Sequence, residues 1–541
     1  MQRPVMRDYA ATHRDFRWEV PETFNFGSDV VDHWAAERPD HPALIWCDAT
    51  GREERYSFAD IARLTDRLAA SLRAAGIAKG DRVLVMLPRV PQWQIAMVAV
   101  LKLGALPIPC IEMLTEKDVA YRLAHAGVRG VIASQAQVEK FAGAEGLAVK
   151  IVVGETPGWT PMQAILEQPV ADFEPTILAA EDPAILYYTS GSTGEPKGVT
   201  HAARALFAWR VSAWFWLDLQ RDDVMWCTAD TGWSKAGTSI LFGPWSCGST
   251  VVFHDGPFDP ARRFEILERY GVTVFCASAT ELRRLLLEEV SSRDLSRLRL
   301  TVSAGEQVNP EVVAAWRRLT GVPLFDGYGQ TETLMTVLNY PALPLKEGSM
   351  GKPLPGCDLL VLDESGQPLP AGEPGELALK LPNPQVMLGY WNDPERTASV
   401  EVEVEGARYI KTSDRVRRDQ EGYFFHEGRS DDVINSAGYR IGPMEVENAL
   451  ASHPAVLESA AVASPDADRG EVVKAFVVLK PGEVASDDLV LALQQHCKQV
   501  TGPYKYPRRL AFVDSLPKTP TGKIRRRFLR DQEFAGRGQA R

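Results

Sequence analysis

A segment rich in glycine and hydroxyl side chains follows an apolar run in the first half of the 541-residue chain. It reads YYTSGSTGEPKG over residues 187–198. Glycines allow a ligand to approach the backbone, hydroxyls donate hydrogen bonds, and the lysine adds a positive charge. This lysine precedes a glycine, so the segment is not the common GxxxxGK[ST] nucleotide loop. The composition predicts a phosphate-binding loop, and the alternative is an ordinary flexible surface loop.

A second candidate segment is DGYGQTE, residues 326–332, which follows an apolar step. Open α/β sheets bind their ligands at the carboxyl ends of strands, so this position suits a site. The ring of Tyr328 can stack on a purine, Thr331 can bind a phosphate oxygen, and Glu332 can hold magnesium. The alternative is a structural glycine-rich turn that carries one acid.

Two further segments carry charges that suit a nucleotide. Asp414 ends YIKTSD and can accept hydrogen bonds from both ribose hydroxyls, while Arg429 in GRSDD offers charge-assisted donors. A local ion pair on a surface turn, worth at most ~1 kcal/mol, is the alternative. Lys523 lies in PKTPTGKIRR, residues 517–526, where two prolines and a glycine favour a fixed loop over a solvated charge in a basic tail.

In combination, these segments resemble the signatures of the acyl-adenylate-forming (AMP-binding) enzymes, a family that includes acyl-CoA synthetases, luciferases and nonribosomal-peptide adenylation domains. The resemblance covers nearly the whole chain and is closest to the medium-chain acyl-CoA synthetases. It implies ATP, Mg²⁺ and coenzyme A as cofactors, Lys523 as the catalytic residue, Glu332 as the magnesium ligand and Asp431 as a hinge. The residues that it implies for ATP or AMP are Thr189, Ser190, Gly191, Ser192, Thr193, Gly194, Lys197, Gly305, Glu306, Asp326, Gly327, Tyr328, Gly329, Gln330, Thr331, Asp414 and Arg429.

The resemblance also implies where coenzyme A and the acid bind. Trp233, in the turn ADTGW, resembles a pocket-wall residue, and Gly329 stands where acetyl-CoA synthetases place a tryptophan that closes the acyl pocket. We expect the missing side chain to open the pocket for a medium-chain aliphatic acid, with a small aromatic acid as the alternative. A solvated basic face is the alternative for the basic members of the coenzyme A set. That set is Ala437, Gly438, Tyr439, Arg440, Arg469, Lys498, Tyr506 and Arg508.

Strands that alternate with helices predict an α/β fold with parallel, covered sheets. A helix is predicted from residue 58 to 75, because Ile61, Leu64, Leu68 and Leu72 recur at helical spacing. We expect a large N-terminal AMP-binding domain, residues 1–430, made of two parallel-sheet βαβ subdomains and a small β-barrel at about 348–425. A small mobile α+β C-terminal domain is expected over residues 431–541.

Composition limits the functional classes. A net charge of −11 argues against nonspecific nucleic-acid binding, and no apolar run reaches the ~18 residues needed to span a bilayer. The first twenty residues contain no apolar core, so a cytoplasmic location is expected. Seven cysteines without a CxxC pair argue against disulfides or structural zinc. Most of the tryptophans at 209, 214, 216 and 226 are expected in the core.

The predicted activity is that of an AMP-forming acid–thiol ligase, which makes an acyl-adenylate from a carboxylic acid and then transfers the acyl group to coenzyme A. An aromatic acid–CoA ligase is one alternative. An amino-acid-activating enzyme is another, because Asp230 lies near Trp233 and could meet an ammonium group. A non-catalytic nucleotide or acyl-CoA sensor is the third. Regulatory acylation of Lys523, which would remove its charge, and a homo-oligomer are further expectations.

Overall fold

The computed structural model describes residues 3–169, 173–189, 195–290, 293–306, 308–429, 432–436, 439–466, 469–501, 505–519 and 523–535. The described residues form five β-sheets covered by helices, which confirms the α/β class. Strands and α-helices are numbered separately in chain order. None of the helices in these ranges is both long and apolar enough to cross a bilayer.

The largest sheet has nine strands in its described part and follows the order β16-β15-β14-β13-β12-β10-β11-β1-β2. The pairings from β14 through to β1 are parallel, and those to β2, β15 and β16 at the edges are antiparallel. Parallel pairing brings the carboxyl ends of the inner strands to one edge, where a ligand crevice is expected. The strands are β1 (Pro42–Asp48), β2 (Glu53–Ser57), β10 (Val224–Cys227), β11 (Thr250–Asp255), β12 (Val274–Cys276), β13 (Leu300–Ala304), β14 (Leu324–Gln330), β15 (Leu334–Leu338) and β16 (Lys352–Pro353).

A second sheet is parallel throughout its described pairings, in the order β4-β3-β5-β6-β7. Helix α3 (Phe58–Ala74) begins with a capping box between Ser57 and Asp60. The four apolar side chains predicted for its inner face are all buried. The strands are β3 (Arg82–Met86), β4 (Leu106–Pro109), β5 (Gly130–Ser134), β6 (Val149–Val153) and β7 (Thr160–Pro161).

A short antiparallel sheet, in the order β19-β9-β8, carries the glycine-rich segment. Strands β8 (Pro183–Thr189) and β9 (Lys197–Ala202) form a hairpin, and β19 (Gly389–Tyr390) pairs with β9. Helix α7 (Ala203–Phe215) follows β9 directly and is buried along almost its whole length. The tryptophans at 209, 214, 216 and 226 are all buried, as expected for core residues.

The β-rich region forms a fourth, antiparallel sheet in the order β17-β18-β21-β20, with β22 paired to β21. Its described edge strands do not pair with each other, so the small β-barrel expected here takes the form of an open half-barrel. The strands are β17 (Leu359–Leu362), β18 (Pro374–Lys380), β20 (Glu401–Val404), β21 (Ala407–Arg418) and β22 (Phe424–Arg429).

The fifth sheet lies near the C-terminus and has its own apolar core around Leu493 and Cys497. It follows the order β24-β23-β26-β25, and β27 joins β26 in parallel. Its strands are β23 (Ile434–Ser436), β24 (Tyr439–Ile441), β25 (Val456–Asp466), β26 (Gly470–Leu479) and β27 (Arg509–Phe512). Its helices are α14 (Pro443–Ala451), α15 (Asp487–Thr501) and α16 (Arg526–Ala535).

Other helices connect or cover the first four sheets. Two π-helical segments, Gly27–Asp32 and Gly237–Leu241, and one 3₁₀ segment, Gln135–Phe141, occur among the described residues. The remaining α-helices are α1 (Tyr9–Asp15), α2 (His33–Glu37), α4 (Pro91–Lys102), α5 (Glu116–Ala126), α6 (Met162–Leu166), α8 (Ser234–Ala236), α9 (Phe242–Ser246), α10 (Pro260–Arg269), α11 (Ala279–Leu285), α12 (Pro310–Thr320) and α13 (Pro394–Ser399).

Candidate active site

The two ends of the glycine-rich segment face each other across the β8–β9 hairpin. Thr189 is the register partner of Lys197, so the hairpin places a hydroxyl and a cation side by side. The Oγ1 atom of Thr189 is buried and makes no hydrogen bond to the described protein, which leaves it available to a ligand. The predicted phosphate-binding residues 190–194 lie outside the described residues.

Lys197 is joined to Glu332 and Tyr390 in a compact charged cluster. Its Nζ atom lies 2.6 Å from Glu332 Oε1 and donates to Tyr390 Oη at 2.8 Å, while Tyr390 donates to Glu332 Oε1 at 3.0 Å. Burial would raise the pKa of Glu332, but Lys197 and then Tyr390 outweigh it and hold that pKa below its usual value. Glu332 is therefore an ionised carboxylate next to the β8–β9 hairpin. Sequence reasoning missed Tyr390.

Strand β14 ends in a second polar cluster, around the buried carboxylate of Asp414. Oδ2 of Asp414 accepts hydrogen bonds from Tyr328 Oη at 2.6 Å and from Gln330 Nε2 at 2.5 Å. Oδ1 lies 3.7 Å from His426 Nε2, and Arg429 is the register partner of Asp414 on β22. Burial raises the pKa of Asp414, but His426, Tyr328 and Arg429 together lower it below its usual value. The structure thus brings Tyr328, Gln330, Asp414 and Arg429 together.

Thr331 lies between these clusters and is held by two side chains. Its Oγ1 is 3.1 Å from Ser234 Oγ, and its carbonyl oxygen is 2.6 Å from Nε2 of buried His201. Burial is the main cause that lowers the pKa of His201 to about 4, so the ring is neutral at pH 7 and its Nε2–H donates to Thr331. No sequence motif had pointed to His201, although it lies only four residues beyond Lys197.

The side chain of Asp326 is bonded to backbone N–H groups, whereas the sequence predicted that it contacts the nucleotide. The side chain is buried and accepts hydrogen bonds from the backbone N–H groups of Gly327 at 3.0 Å and Val308 at 3.4 Å. Burial raises its pKa to about 7. It therefore fixes the neighbouring strand ends, where Gly305 has a φ of +90° and Glu306 accepts hydrogen bonds from Thr280. Whether Asp326 also contacts a nucleotide stays a prediction.

Gly329 makes a close backbone contact that the sequence did not reveal. A Cβ atom there would lie 2.1 Å from the carbonyl oxygen of Leu334 and 2.8 Å from Cα of Met335 on β15. The strand pairing therefore requires glycine, because any side chain would overlap β15. In this backbone the first side-chain atom at position 329 would meet β15, and the effect of Gly329 on the acyl pocket stays a prediction.

The turn that carries Trp233 lies against the same end of the sheet. Trp233 is partly buried, and its Nε1 atom is buried without a hydrogen-bond partner among the described residues. Two residues further, Lys235 Nζ donates to the carbonyl oxygen of Ala304 at 3.2 Å, at the end of β13. The turn therefore lies beside the carboxyl ends of β13 and β14. The role of Trp233 in an acyl pocket stays a prediction.

Three of the residues predicted for coenzyme A form one group on the C-terminal sheet. Nζ of Lys498 lies 4.2 Å from the ring centroid of Tyr506, and Arg508 both stacks on that ring and donates to its hydroxyl at 2.8 Å. Arg469 is exposed before β26, where its backbone N–H donates to Asp466. Ala437, Gly438 and the predicted hinge Asp431 lie outside the described residues, and only the backbone is described for Tyr439 and Arg440.

Lys523 is exposed at one end of a small hairpin that precedes α16. Lys518 and Ile524 form a β-bridge, the N–H of Thr519 donates to the carbonyl oxygen of Lys523 at 2.7 Å, and the N–H of Lys523 donates to Thr519 Oγ1 at 3.1 Å. The backbone of Lys523 is thus fixed, as its prolines predicted, while its side chain remains available. Residues 520–522 of this loop are not among those described.

Comparison with known proteins accounts for this arrangement. Residues 31–391 match the family model of the AMP-binding enzymes, and residues 445–523 match that of the AMP-binding enzyme C-terminal domain. The chain is 41% identical over 549 residues to mitochondrial acyl-coenzyme A synthetase ACSM3 of Mus musculus, covering 97% of this chain and 93% of that protein. It is 42% identical over 519 residues to the uncharacterized acyl-CoA ligase YtcI of Bacillus subtilis, covering 95% and 97% of the two chains.

Solved structures agree with this relationship. The chain superposes with a TM-score of 0.88 and 30% identity on the anthranilate CoA ligase AuaEII in complex with anthranoyl-AMP, covering 96% of this chain and 99% of that one. A benzoate CoA ligase from Burkholderia xenovorans gives a TM-score of 0.84 at 29% identity, with 94% and 100% coverage. Both the sequence and the fold are therefore shared over almost the whole chain.

Proposed function

The chain belongs to the AMP-binding enzyme family, and we propose that it works as an AMP-forming acyl-CoA synthetase in two half-reactions. A carboxylate oxygen of the acid attacks the α-phosphorus of ATP, and the bond between that phosphorus and the pyrophosphate oxygen breaks. The thiol sulfur of coenzyme A then attacks the acyl carbon, and the bond from that carbon to the AMP oxygen breaks. The products are acyl-CoA, AMP and pyrophosphate. The observation that carries the proposal is that Lys197, Glu332, Thr331 and Asp414 lie close together around the end of β14.

The nucleotide is proposed to lie across the two clusters at this end of the sheet. Thr189 and Lys197, with the loop between them, hold the β- and γ-phosphates, and Thr331 meets the α-phosphate. Asp414 accepts the ribose hydroxyls through its Oδ1 atom, because Oδ2 already receives two hydrogen bonds. Tyr328 stacks on the adenine, and Arg429 donates to ribose or phosphate.

Glu332 suits magnesium, which usually binds proteins through one or two carboxylates and keeps its other positions for water and phosphate oxygens. Among the described residues no cluster of three or more His, Cys, Asp or Glu side chains could hold a metal, and Glu332 is the carboxylate proposed to lie beside the phosphates. When bound, Mg²⁺ neutralises phosphate charge. Tyr390 and Lys197 both contact Oε1 of Glu332 and so keep the carboxylate oriented, and Lys197 also supplies a positive charge beside it.

Lys523 is proposed to donate to the α-phosphate oxygens during adenylation, where one well-placed donor is worth roughly 3 kcal/mol. After adenylation the C-terminal domain, residues 431–541, is proposed to rotate about Asp431. The turn at 437–440 then faces the site, and the group of Lys498, Tyr506 and Arg508 holds the nucleotide end of coenzyme A. Closure of the two domains excludes water from the reactive anhydride.

A medium-chain aliphatic acid is the proposed substrate, because the chain is about 40% identical to acyl-coenzyme A synthetases of the ACSM group over nearly its full length. A small aromatic acid is the second candidate, since the anthranilate and benzoate CoA ligases share this fold at about 30% identity. Each buried methylene of an aliphatic acid is worth about 0.8 kcal/mol, so the rate should rise with chain length until the pocket ends.

AMP release across saturated acids from acetate to dodecanoate, with benzoate, anthranilate and several amino acids, tests the proposal. Each acid is assayed with and without coenzyme A. A maximum at intermediate length that needs coenzyme A supports the medium-chain proposal, and a maximum at benzoate favours the aromatic acid. Turnover with amino acids alone favours the amino-acid-activating alternative. No turnover with any acid contradicts the synthetase.

Lys523→Ala tests the proposed catalytic residue. The variant should lose acid-dependent exchange of pyrophosphate into ATP, but it should still convert a supplied acyl-adenylate and coenzyme A into acyl-CoA. Exchange at the wild-type rate contradicts the proposed role. Acylation of Lys523 is proposed to have the same effect as the alanine variant, because it removes the charge. Active enzyme found fully acetylated at Lys523 by mass spectrometry would contradict this regulation.

Location and assembly remain proposals. All seven cysteines are free and buried, which suits a reducing compartment and a cytoplasmic protein. Cell fractionation of the tagged chain tests the location. Light scattering of the purified protein tests whether it forms a homo-oligomer.

A further inference from the structure

The hairpin that carries Lys523 is tied to the C-terminal domain through a half-buried arginine. Arg526, three residues beyond Lys523, donates through Nε to Glu447 Oε1 at 3.0 Å and through one terminal nitrogen to Glu447 Oε2 at 2.7 Å. Glu447 belongs to α14 and is buried. Two parallel charge-assisted hydrogen bonds fix both the position and the orientation of a guanidinium group.

Glu447 is itself held in place by backbone. Its Oε1 atom also accepts the N–H of Ala461 at 2.8 Å, which fixes the carboxylate against β25. The terminal nitrogen of Arg526 that donates to Glu447 also contacts Met444 Sδ at 3.2 Å. The chain of contacts therefore runs from strand β25 through Glu447 and Arg526 to the hairpin.

Arg526 occupies a position that helix formation alone does not favour. It is the first residue of α16, and the N-terminal end of a helix carries partial positive charge that repels a cation. The carboxylates around it compensate: burial alone would lower the pKa of Arg526, but Glu447, Asp432 and Glu306 raise it. Glu306 lies at the predicted nucleotide edge of the large sheet.

The start of the hairpin has a weaker anchor. Lys518 Nζ donates to Glu458 Oε2 at 2.8 Å, and Arg283 of α11 lies 3.8 Å from the same oxygen. Arg283 also donates to Thr280 Oγ1, which in turn donates to Glu306. This anchor therefore leads through Arg283 and Thr280 toward Glu306. The pair between Arg526 and Glu447 is the more buried of the two anchors.

We propose that Arg526 is a positioning residue for adenylation, and that its two hydrogen bonds to Glu447 hold the hairpin where Lys523 reaches the α-phosphate. This inference rests on the proposed role of Lys523. Loss of the pair should therefore affect the two half-reactions differently. Adenylation needs Lys523 in place, whereas transfer of the acyl group to coenzyme A does not.

The test compares Arg526→Gln, Arg526→Lys and Lys523→Ala with a matched control, Arg527→Gln. Arg527 is the next residue, is exposed, and pairs only with Asp531 on its own helix among the described contacts. Acid-dependent pyrophosphate exchange into ATP measures adenylation. Acyl-CoA formation from synthetic acyl-adenylate and coenzyme A measures the second half-reaction, and thermal unfolding measures the fold.

Arg526→Gln should lower the exchange rate by about 10- to 100-fold, since a displacement of about 1 Å can cost that much, while acyl-CoA formation from supplied adenylate stays within about twofold. Arg526→Lys keeps the charge, so Glu447 is not left unpaired, but it loses the paired hydrogen bonds. Its exchange rate should be intermediate with little change in melting temperature. The control should match wild type in every assay.

Equal loss of both half-reactions in the glutamine and lysine variants would overturn the proposal, because it would show a role in the fold alone. Wild-type exchange in either variant would also overturn it. Absence of exchange in the wild-type enzyme with every acid would instead contradict the proposed function, and wild-type exchange in Lys523→Ala would contradict the role of Lys523. These failures are therefore distinguishable from failure of the arginine's positioning role.

Discussion

Replacing Asp414 by asparagine should weaken ATP binding. The substitution keeps the size of the side chain and removes its charge. Asparagine retains one carbonyl oxygen, which can take the place of Oδ2 and accept from Tyr328 or Gln330. Its amide NH₂ then occupies the place of Oδ1, where it can no longer accept a hydrogen bond from the ribose.

The size of the effect follows from the contacts that Asp414 already makes. One oxygen is occupied by protein donors, so the other provides the acceptor for the ribose hydroxyls. A hydrogen bond to a charged group contributes roughly 1.5–3 kcal/mol, which corresponds to about a 10- to 150-fold rise in the KM for ATP. Asp414 is buried, so solvent does not reduce this contribution strongly.

Pyrophosphate exchange measured with ATP, 2′-deoxy-ATP and 3′-deoxy-ATP provides the assay. The wild-type enzyme should discriminate against the deoxy analogues, and Asp414→Asn should lose most of that discrimination. Asp419→Asn is a matched control, because this carboxylate lies at the turn between β21 and β22 and accepts from Lys346 and two backbone N–H groups. It should lower the melting temperature while it leaves the KM for ATP unchanged.

Unchanged discrimination against both deoxy analogues in Asp414→Asn would refute the proposed contact with ribose. A rise in KM that is equal for ATP and for both analogues would also refute it, since the lost energy would then come from the fold of the site and not from the hydroxyls.

Three further substitutions test the site. The pKa of buried His201 is lowered to about 4, so the protein should lose about 3 kcal/mol of unfolding free energy as the pH falls from 6.5 to 4 and keep it above pH 6.5. His201→Gln should flatten this pH dependence in urea unfolding. An identical pH dependence in the variant would disprove the prediction. Gly329→Ala should lower the free energy of unfolding by roughly 1–3 kcal/mol, because the added Cβ would meet the carbonyl oxygen of Leu334. The preferred acid length should not change. A shifted optimum in the acid panel would instead support a role of Gly329 in the acyl pocket. Tyr390→Phe removes the hydroxyl that donates to Glu332. The loss of about 1.4 kcal/mol in Mg²⁺ binding should raise the Mg²⁺ concentration for half-maximal exchange about tenfold. An unchanged Mg²⁺ titration would argue against Tyr390 as the residue that orients Glu332.

Local patterns in the sequence predicted individual elements well. The apolar spacing in α3 follows from one helix burying one face, and all of those side chains are buried. Helix α3 begins at the predicted residue and ends at Ala74, one residue before the predicted end. The alternation of strands and helices also predicted the parallel sheets. These features depend on residues within about twenty positions of each other.

Features that depend on distant pairing could not be predicted in this way. Tyr390 reaches Lys197 because β19 pairs with β9, nearly two hundred residues earlier in the chain, and no local pattern indicates that pairing. The pair between Arg526 and Glu447 likewise joins separate helices. The reason for glycine at 329 is a backbone contact with β15, which becomes visible only once the register of β14 and β15 is known. The resemblance to a family supplied candidate roles, but not these contacts.

The burial of every cysteine makes the thiols internal reporters of opening motions. Cys497 lies in the core of the C-terminal sheet, whereas the other six lie at or before Cys357. A maleimide reagent can modify a buried thiol only when the surrounding structure opens, so the labelling rate of each cysteine reports a local opening free energy. Peptide mass spectrometry separates Cys497 from the rest. The unmodified chain can therefore show whether its C-terminal core opens independently, and whether bound ATP or coenzyme A slows that opening.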